Sequence, residues 1–234
     1  IGRDYPGVLC DRLRAAFGCP VLFVQGTCGD HRPRHIDVGL EERDRIGNGL
    51  ADELLRNRGR AEHYRFEQLE NQTAGVWCEV RDGFPTSAEE AADMASGLRR
   101  EVASLPSGAG SLKRRKDLCE EIAFRDNARA MFNGHPYMLP GEVQARCARL
   151  DISLVRFGNV RLLNFPGELF STSAKGLEGA PHSPTIVASF ADGVGGYLMP
   201  RDDFHGGGGY EYTWALYKPE SIENLRTAML ELVK

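Results

Sequence analysis

The sequence predicts an α/β fold, in which helices pack on a mixed sheet. Amphipathic segments with helical spacing and short apolar runs bounded by glycine or proline occur in comparable amounts along the 234 residues. Elements of both kinds along one chain are typical of layers of helix on sheet. The composition, 41% hydrophobic and 26% charged residues, is that of a globular chain long enough to bury a core.

The N-terminal part of the chain predicts two helices and three strands. Residues 6–17, PGVLCDRLRAAF, and residues 40–58 carry apolar side chains at helical spacing. Val21–Val24 predicts a buried strand, because the run is short and apolar on both faces. The alternating segments 64–70, YRFEQLE, and 75–80, GVWCEV, predict two further strands.

The middle of the chain predicts two helices. The first begins with Thr86 or Ser87 as its N-cap, followed by acidic residues in the first turn. The second covers residues 112–132, and the basic run Lys113–Lys116 is expected to open its solvated face. Residues 82–148 are therefore interpreted as a mainly helical insertion between two strand-rich ends.

The C-terminal part predicts a hairpin, a further strand and a closing helix. Residues 150–170, LDISLVRFGNVRLLNFPGELF, form two apolar runs separated by a turn at 158–159. Residues 185–193, TIVASFADG, predict another strand. Residues 219–234, PESIENLRTAMLELVK, predict a helix with Ser221 as a candidate cap.

Charge, hydropathy and cysteine spacing exclude several classes of protein. The net charge of −4 and the lack of a basic face argue against a nucleic-acid partner. The sequence contains no run of about 18 apolar residues, so it predicts no membrane span. The six cysteines include no C-x-x-C pair, which argues against a zinc knuckle. Cys10, Cys119 and Cys147 lie in apolar-periodic stretches and are expected to be buried free thiols, although an even count permits disulfides.

Three predicted strands end in polar, glycine-rich sequence. The first runs into Gly26-Thr-Cys-Gly-Asp30, the second into Pro166-Gly-Glu168, and the third into residues 193–212 with four consecutive glycines at 206–209. Each signal has a plain structural reading: Asp30 as a turn cap, Glu168 as a turn residue, the glycines as a flexible tip. Because ligands of α/β proteins bind at strand ends, the three loops together predict one site.

These three stretches, in this order, resemble the neutral/alkaline non-lysosomal ceramidase family. FVQGTCGDHRP is similar to the family's strand followed by Q-G/N-x-x-G-D-x-S/N-P, and NFPGELF to its strand followed by P-[AG]-E-[FL]. GGYLMPRDDF, GGYEY and LYKP are similar to its third group of motifs, including the spacing from Tyr210 to Tyr217 and Pro219. The resemblance covers residues 5–58 and 150–234.

The resemblance implies a zinc amidohydrolase, in which two histidines, one glutamate and one tyrosine hold the metal. Glu168 and Tyr210 match the glutamate and tyrosine ligands. The two histidines belong to family motifs upstream of Asp4. Residues 1–234 are therefore expected to be the C-terminal portion of a catalytic domain whose N-terminal part is missing, without the family's immunoglobulin-like domain.

The sequence departs from the family pattern at Arg32, where the family carries a serine needed for catalysis. A guanidinium cannot act as a nucleophile, but it can bind a carboxylate or a phosphate. Asp30 and Arg32 are expected to shape the substrate side, with Asp30 either a structural cap or a residue that orients the metal site. Tyr217 matches a family tyrosine near the site and is either a donor to the substrate or a packed aromatic.

Three histidines near these loops are further candidates for metal binding or for lining the pocket. His31 and His35 have the spacing of a metal pair, but Pro33 lies between them and opposes a helix that would present both on one face. His205 precedes the four glycines, and an exposed loop position is favoured over one that lines the pocket.

The sequence hypothesis is thus a zinc-dependent hydrolase of a C–N amide bond, acting on a small-molecule or lipid amide. One alternative is a catalytically degenerate relative that binds a ligand or partner, which Arg32 favours. A second is a purely structural or regulatory α/β domain. A third is anion binding at the glycine-rich loop with Arg32, although no P-loop spacing supports it.

Overall fold

The structure is a computed structural model that describes residues 2–33, 39–64, 68–133, 143–144, 146–180, 183–191, 193–204 and 210–234. Within these ranges the chain contains both helices and strands in number, which confirms the predicted mixed α/β class. Among the described residues, no helix combines the length and the apolar character needed to cross a membrane.

The helices of the described ranges differ widely in length. They are α1 (Asp4–Phe17), α2 (Gly39–Arg56), α3 (Ala88–Ser104), α4 (Leu112–Phe132), α5 (Ser171–Ala174), α6 (Arg201–Phe204), α7 (Tyr210–Trp214) and α8 (Pro219–Leu232). Short 3₁₀ turns occupy Arg58–Arg60 and Ala109–Ser111. The predicted helices at 6–17, 40–58 and 112–132 are therefore confirmed to within two residues at each end.

The strands form a mixed sheet and a small parallel pair. They are β1 (Leu69–Glu79), β2 (Val143–Gln144), β3 (Cys147–Phe157), β4 (Val160–Asn164), β5 (Glu168–Leu169), β6 (Gly179–Ala180), β7 (Ser183–Ala188) and β8 (Tyr197–Leu198). Among the described strands, the main sheet has the order β1-β3-β4-β7-β6, with β2 beside β3; β4 and β7 pair in parallel, and the other pairs are antiparallel. β5 and β8 pair in parallel.

The start of α3 shows the predicted N-terminal cap. The Ser87 hydroxyl accepts a hydrogen bond from the Glu90 amide at 3.0 Å, and the Glu90 carboxylate accepts one from the Thr86 amide at 2.7 Å. The first bond satisfies an amide that the helix leaves without an intrahelical acceptor, and the second satisfies the amide of the residue before the cap. Ser87, rather than Thr86, is therefore the cap.

The start of α8 differs from the prediction. The helix begins at Pro219, and Ser221 lies inside it. The Ser221 hydroxyl accepts a hydrogen bond from the Glu79 amide at 2.8 Å. Ser221 is therefore not a cap, because its side chain joins α8 to the end of β1.

The two strands predicted at 64–70 and 75–80 are also wrong as separate elements. A single strand, β1, runs from Leu69 to Glu79 and pairs along its whole length with β3. Gly75 lies within this ladder opposite Asp151, so it does not interrupt the strand. Residues 65–67 of the first predicted strand lie outside the described residues.

Val21–Val24 is not a buried strand. The segment is irregular, and Leu22 is 88% exposed. The backbone bond that joins this stretch to β7 lies one residue later, where the Gln25 carbonyl accepts from the Ser189 amide at 2.8 Å. An apolar run becomes a strand only beside a chain that completes its hydrogen-bond ladder, and the described residues supply no such partner at 21–24.

The main core lies between the sheet and the helices that cover it. Leu150, Ile152 and Leu154 alternate along β3 and point into this core, where α8 contributes Leu225 and Met229. A separate, smaller cluster joins α1 and α2 through the side chains Leu9, Leu13 and Ala51. The helix pair therefore does not share the core of the sheet.

The cysteines are all free thiols, and three of the predictions made for them can be compared with the structure. Cys10 is buried, as expected, and Cys147 is half-buried. Cys119 is exposed, so its predicted burial is wrong. It lies next to the buried Leu118 on α4, one step around the helix from the face that packs inward.

Candidate functional site

The carboxyl ends of β4 and β7 place two of the predicted polar loops side by side. Because these strands are parallel, the segments after Asn164 and Ala188 leave the same edge of the sheet. The Phe165 amide donates to the Ala188 carbonyl at 3.2 Å, and the Ala191 amide donates back to the Phe165 carbonyl at 3.1 Å. These bonds fix the second and third loops to each other.

The first loop, Gln25–Asp30, is bonded to both of the others. Besides the bond between Gln25 and Ser189, the Gly29 amide donates to the Leu169 carbonyl at 3.0 Å. A Cβ on Gly29 would lie 2.4 Å from Cδ1 of Phe170, so this position has no room for a side chain. The sequence prediction that the three loops meet at one site is therefore consistent with the backbone bonding among them.

Glu168 lies where the three loops meet. Its amide donates to the Gly196 carbonyl at 2.9 Å, and the β5–β8 register places it opposite Tyr197. Its half-buried carboxylate accepts hydrogen bonds from Tyr197 and from the Cys28 thiol, whose Sγ is 3.9 Å from Oε2. Burial raises the pKa of Glu168, and these two bonds only partly oppose the rise.

Cys28 and Tyr197 are site residues that the sequence analysis missed. Burial, and then the Glu168 charge, raise the pKa of Cys28 to about 11, and the same two causes raise the pKa of Tyr197. The sequence signal for Tyr197 was its place directly after Gly195 and Gly196, and for Cys28 its place between Gly26 and Gly29. Only the fold turns both positions toward Glu168.

Tyr210 lines the same small pocket as Glu168. This aromatic pocket, defined by Phe124, Tyr197, Tyr210, Trp214 and Glu168, has a volume of about 110 Å³. The rings of Tyr210 and Tyr197 meet edge-on, with their centroids 6.0 Å apart. The Tyr210 side chain is 49% exposed. Burial raises the pKa of Tyr210, and the Glu168 charge raises it further, so the neutral phenol is favoured without a nearby cation.

Asp30 caps α5. Its carboxylate accepts hydrogen bonds from the Ser171 amide at 2.9 Å and from the Ser171 hydroxyl, and Nδ1 of His31 is 3.0 Å away. Burial opposes ionisation of Asp30, but the bonds from Ser171 outweigh it and lower the pKa. Asp30 therefore acts as a cap, one of the two roles expected for it. It caps α5, which belongs to another loop, and not its own turn.

Arg32 lies on a wider opening on the other side of Glu168. This basic cleft, defined by Cys28, His31, Arg32, Arg45, Glu168 and Phe190, has a volume of about 420 Å³. Arg45 is paired with Glu42. Arg32 is exposed. The second histidine of the His31 pair, His35, and His205 with the glycines 206–209 lie outside the described residues.

Tyr217 is packed in the main core. The side chain is 1% exposed, and among the described residues its buried hydroxyl has no hydrogen-bond partner. A Cβ on Gly195 would be 3.7 Å from this hydroxyl, so Tyr217 lies beneath the third loop, behind the site. The proposed contact of Tyr217 with a substrate stays a prediction.

The donor set for a metal is incomplete among the described residues. No group of three His, Cys, Asp or Glu side chains in these ranges is arranged to hold an ion. Glu168 and Tyr210 supply a carboxylate and a phenol oxygen beside one pocket. The arrangement can bind a ligand between aromatic rings and a carboxylate, and it offers two oxygen donors to a cation.

Comparisons with known proteins identify the fold. No family model matches this sequence, and no curated protein matches it. The crystal structure of the neutral ceramidase from Pseudomonas aeruginosa superposes on all of this chain with a TM-score of 0.59 and 17% sequence identity. A second structure, described as ceramidase complexed with C2, superposes with a TM-score of 0.61 and 15% identity.

The chain spans 40% and 42% of the lengths of these two proteins. At such low sequence identity the superpositions establish the fold alone. The resemblance that the three motifs indicate is therefore confirmed in three dimensions: the chain has the fold of a segment of the neutral ceramidases.

Proposed function

We propose that this chain carries part of the active site of a zinc-dependent hydrolase that cleaves a C–N amide bond. The observation that carries the proposal is the position of Glu168, a half-buried carboxylate where three glycine-rich loops meet, two of which follow β4 and β7, with Tyr210 on the same pocket. The likeness in fold to the neutral ceramidases supports this proposal. We propose residues 1–234 as the C-terminal portion of the catalytic domain, with 82–148 as its helical insertion.

The two oxygen donors fit zinc in chemical type. Zinc accepts carboxylate oxygen, and a cation beside Tyr210 would reverse the effect of the Glu168 charge on its phenol. Cys28 and Tyr197, which donate hydrogen bonds to the Glu168 carboxylate, are both neutral, so neither of them compensates its negative charge. The family resemblance assigns the two remaining ligands to histidines upstream of this chain.

The residues of this chain would then have different roles around the amide. Bound zinc supplies a water of lowered pKa and polarises the carbonyl. Glu168 and Tyr210 hold the metal beside the aromatic pocket, while Asp30 fixes the turn that carries Cys28 and Arg32. Arg32 faces the cleft through which a substrate would reach Glu168.

One observation favours a second candidate function, a relative that binds its ligand without turnover. Arg32 occupies the position at which the ceramidase family carries a catalytic serine, and a guanidinium cannot replace a hydroxyl nucleophile or proton donor. Under this alternative the pocket, the cleft and the metal are retained, and no amide is cleaved.

The first experiment is the zinc content of the full-length protein, compared with Glu168→Ala and with the control variant Glu211→Ala. Glu211 is also a carboxylate near this pocket, but it does not line it. We expect about one zinc per chain in the parent and in Glu211→Ala, and a loss of zinc in Glu168→Ala. Zinc binding that does not depend on Glu168 would overturn the proposed site.

A second measurement separates hydrolysis from binding alone. The zinc-loaded protein is incubated with simple N-acyl amides, and the released amine is quantified. Release that disappears on zinc removal supports the hydrolase. Full zinc occupancy with no release from any amide supports the binding protein instead.

A further inference from the structure

The aromatic pocket beside Glu168 is small and lined mainly by rings. Phe124 and Trp214 meet edge-on at 5.5 Å, and Tyr210 lies 6.0 Å from both Trp214 and Tyr197. Leu216 and Val194 complete much of the apolar lining. Such walls favour an apolar group, because burying its surface is favourable and the rings offer few polar partners.

The volume of the pocket limits what can enter it. A cavity of about 150 Å³ lined by apolar side chains is known to accept benzene, which has six carbon atoms. The aromatic pocket measures about 110 Å³. The pocket itself therefore holds a group of about six non-hydrogen atoms, and a longer acyl or alkyl chain would have to extend out of it.

The basic cleft on the other side of Glu168 is larger and carries cationic side chains, although apolar side chains such as Ile46, Leu50 and Phe190 also line it. It is about 420 Å³ and open to solvent, and its lining includes Arg32, Arg45 and His31. Arg45 is engaged by Glu42, and His31 is close to Asp30. Among the described residues, Arg32 has no hydrogen bond or ion pair, so its guanidinium is available to a carboxylate or another anion.

Glu168 lines both the aromatic pocket and the basic cleft. An amide bond held at its carboxylate would therefore place one of its two substituents in each. We propose that the substrate is a small amide with two unlike arms: a short apolar acyl arm in the aromatic pocket and an anionic amine-derived arm on Arg32. This inference rests on the proposed amide hydrolase and names its substrate class. N-acyl amino acids with short acyl groups have this chemistry.

The test compares three amides with the full-length, zinc-loaded protein. N-butyrylglycine has both arms, N-decanoylglycine has too long an acyl chain, and N-butyrylethanolamine lacks the charge. We expect kcat/KM to be highest for N-butyrylglycine, by about tenfold over the uncharged amide, as for one charge-assisted hydrogen bond. A preference for the decanoyl or the uncharged amide would overturn the proposal.

Variants locate the anionic arm. Arg32→Ala should raise KM for N-butyrylglycine by about tenfold more than it raises KM for N-butyrylethanolamine. The control Arg58→Ala removes another exposed arginine, which lies outside the cleft, and should not change the ratio of the two KM values. Equal effects of Arg32→Ala on the charged and the uncharged amide would show that Arg32 does not bind the anion.

Calorimetric titration keeps this inference separate from the proposed function. If no amide is hydrolysed, the hydrolase proposal fails, but the affinities of the same three compounds can still be measured. Tighter binding of N-butyrylglycine than of the other two supports the two-armed site in a binding protein. Tighter binding of N-decanoylglycine, or binding independent of charge, overturns the inference whether or not the protein is an enzyme.

Discussion

The sheet region and the N-terminal helix pair of this chain bury their apolar side chains to different extents. In the sheet region, Leu150 and Leu163 are fully buried between β3, β4 and the helices that cover them. In the N-terminal region, α1 and α2 bury a small cluster around Leu9 and leave Leu22 88% exposed. Similar apolar runs are therefore buried or exposed according to how many elements of the described chain cover them.

The candidate site lies where these two regions meet. The loop Gln25–Asp30 belongs to the N-terminal region and is held to the sheet region by backbone bonds to Leu169 and Ser189 and by the Asp30 cap on α5. The basic cleft has walls from both regions, with Arg45 from α2 and Glu168 from β5. The geometry of the site therefore depends on how firmly the N-terminal region is held to the sheet region.

The largest expected effect tests the difference between the two cores. Leu163→Ala should lower the free energy of unfolding by about 3 kcal/mol or more, because it leaves a cavity among rigid neighbours. Leu9→Ala should cost less, about 2 kcal/mol or below, because the smaller cluster can close around the gap. Urea unfolding measures both. Equal costs would contradict the proposed difference between the regions.

The next effect concerns the contact between the regions. Asp30→Ala removes the acceptor for both the amide and the hydroxyl of Ser171 and should cost about 1 to 2 kcal/mol, as for other lost helix caps. Asp30→Asn keeps an acceptor oxygen and should cost less. Thermal unfolding of both variants measures this, and an alanine variant as stable as the asparagine variant would show that the cap does not hold the loop.

The sequence predicted the elements whose signals are local. The Ser87 cap and the turn at residues 158–159 need only neighbouring residues, and both occur as predicted. Val21–Val24 was predicted from its apolar character, but a strand also needs a hydrogen-bonded neighbour, which no local pattern encodes. Ser221 was misread for a similar reason, since its partner, the Glu79 amide, is distant in sequence.

The site was predictable in outline and not in detail. The three glycine-rich loops, with Glu168 in the second, were visible in the sequence, and the parallel pairing of β4 with β7 brings the second and third together. Cys28 and Tyr197 could not be assigned, because their bonds to Glu168 depend on the β5–β8 register and on where the first loop crosses it. The substrate contact of Tyr217 stays a prediction, made from a motif alone.

A smaller effect is expected from the burial of Glu168 itself. Its pKa is raised above the ordinary value of 4.5 by burial, so the folded state binds its proton more tightly than the unfolded state does. Ionised Glu168 therefore reduces stability progressively as the pH rises through that raised pKa, and protonated Glu168 does not. In chelator-treated protein, Glu168→Gln should be more stable than the parent at neutral pH, and this advantage should disappear below the ordinary pKa.

Thermal melts of the parent and Glu168→Gln over this pH range measure the effect. Glu79→Gln is a suitable control, because Glu79 is a half-exposed carboxylate already paired with Lys218. Added zinc should reverse the order of stability if the carboxylate is a metal ligand, since a ligand that binds only the folded state stabilises it. A parent more stable than Glu168→Gln at neutral pH without metal would contradict the unfavourable burial of this charge.

The smallest effect is expected at Leu22. Leu22→Ser should change the free energy of unfolding by no more than about 0.5 kcal/mol, because the side chain is already in water in the folded chain. The matched change in the helix pair, Leu13→Ser, places a hydroxyl in the α1–α2 cluster and should cost several times more. Both are measured by urea unfolding of the full-length protein.

The same comparison decides what the exposed run 21–24 does. A cost for Leu22→Ser as large as that for Leu13→Ser would mean that other parts of the full-length protein cover Leu22. A negligible cost would mean that the run stays exposed and that the first loop is held to the sheet by its own bonds alone. In that case the Asp30 cap and the Gln25–Ser189 bond are the contacts that keep Arg32 beside Glu168.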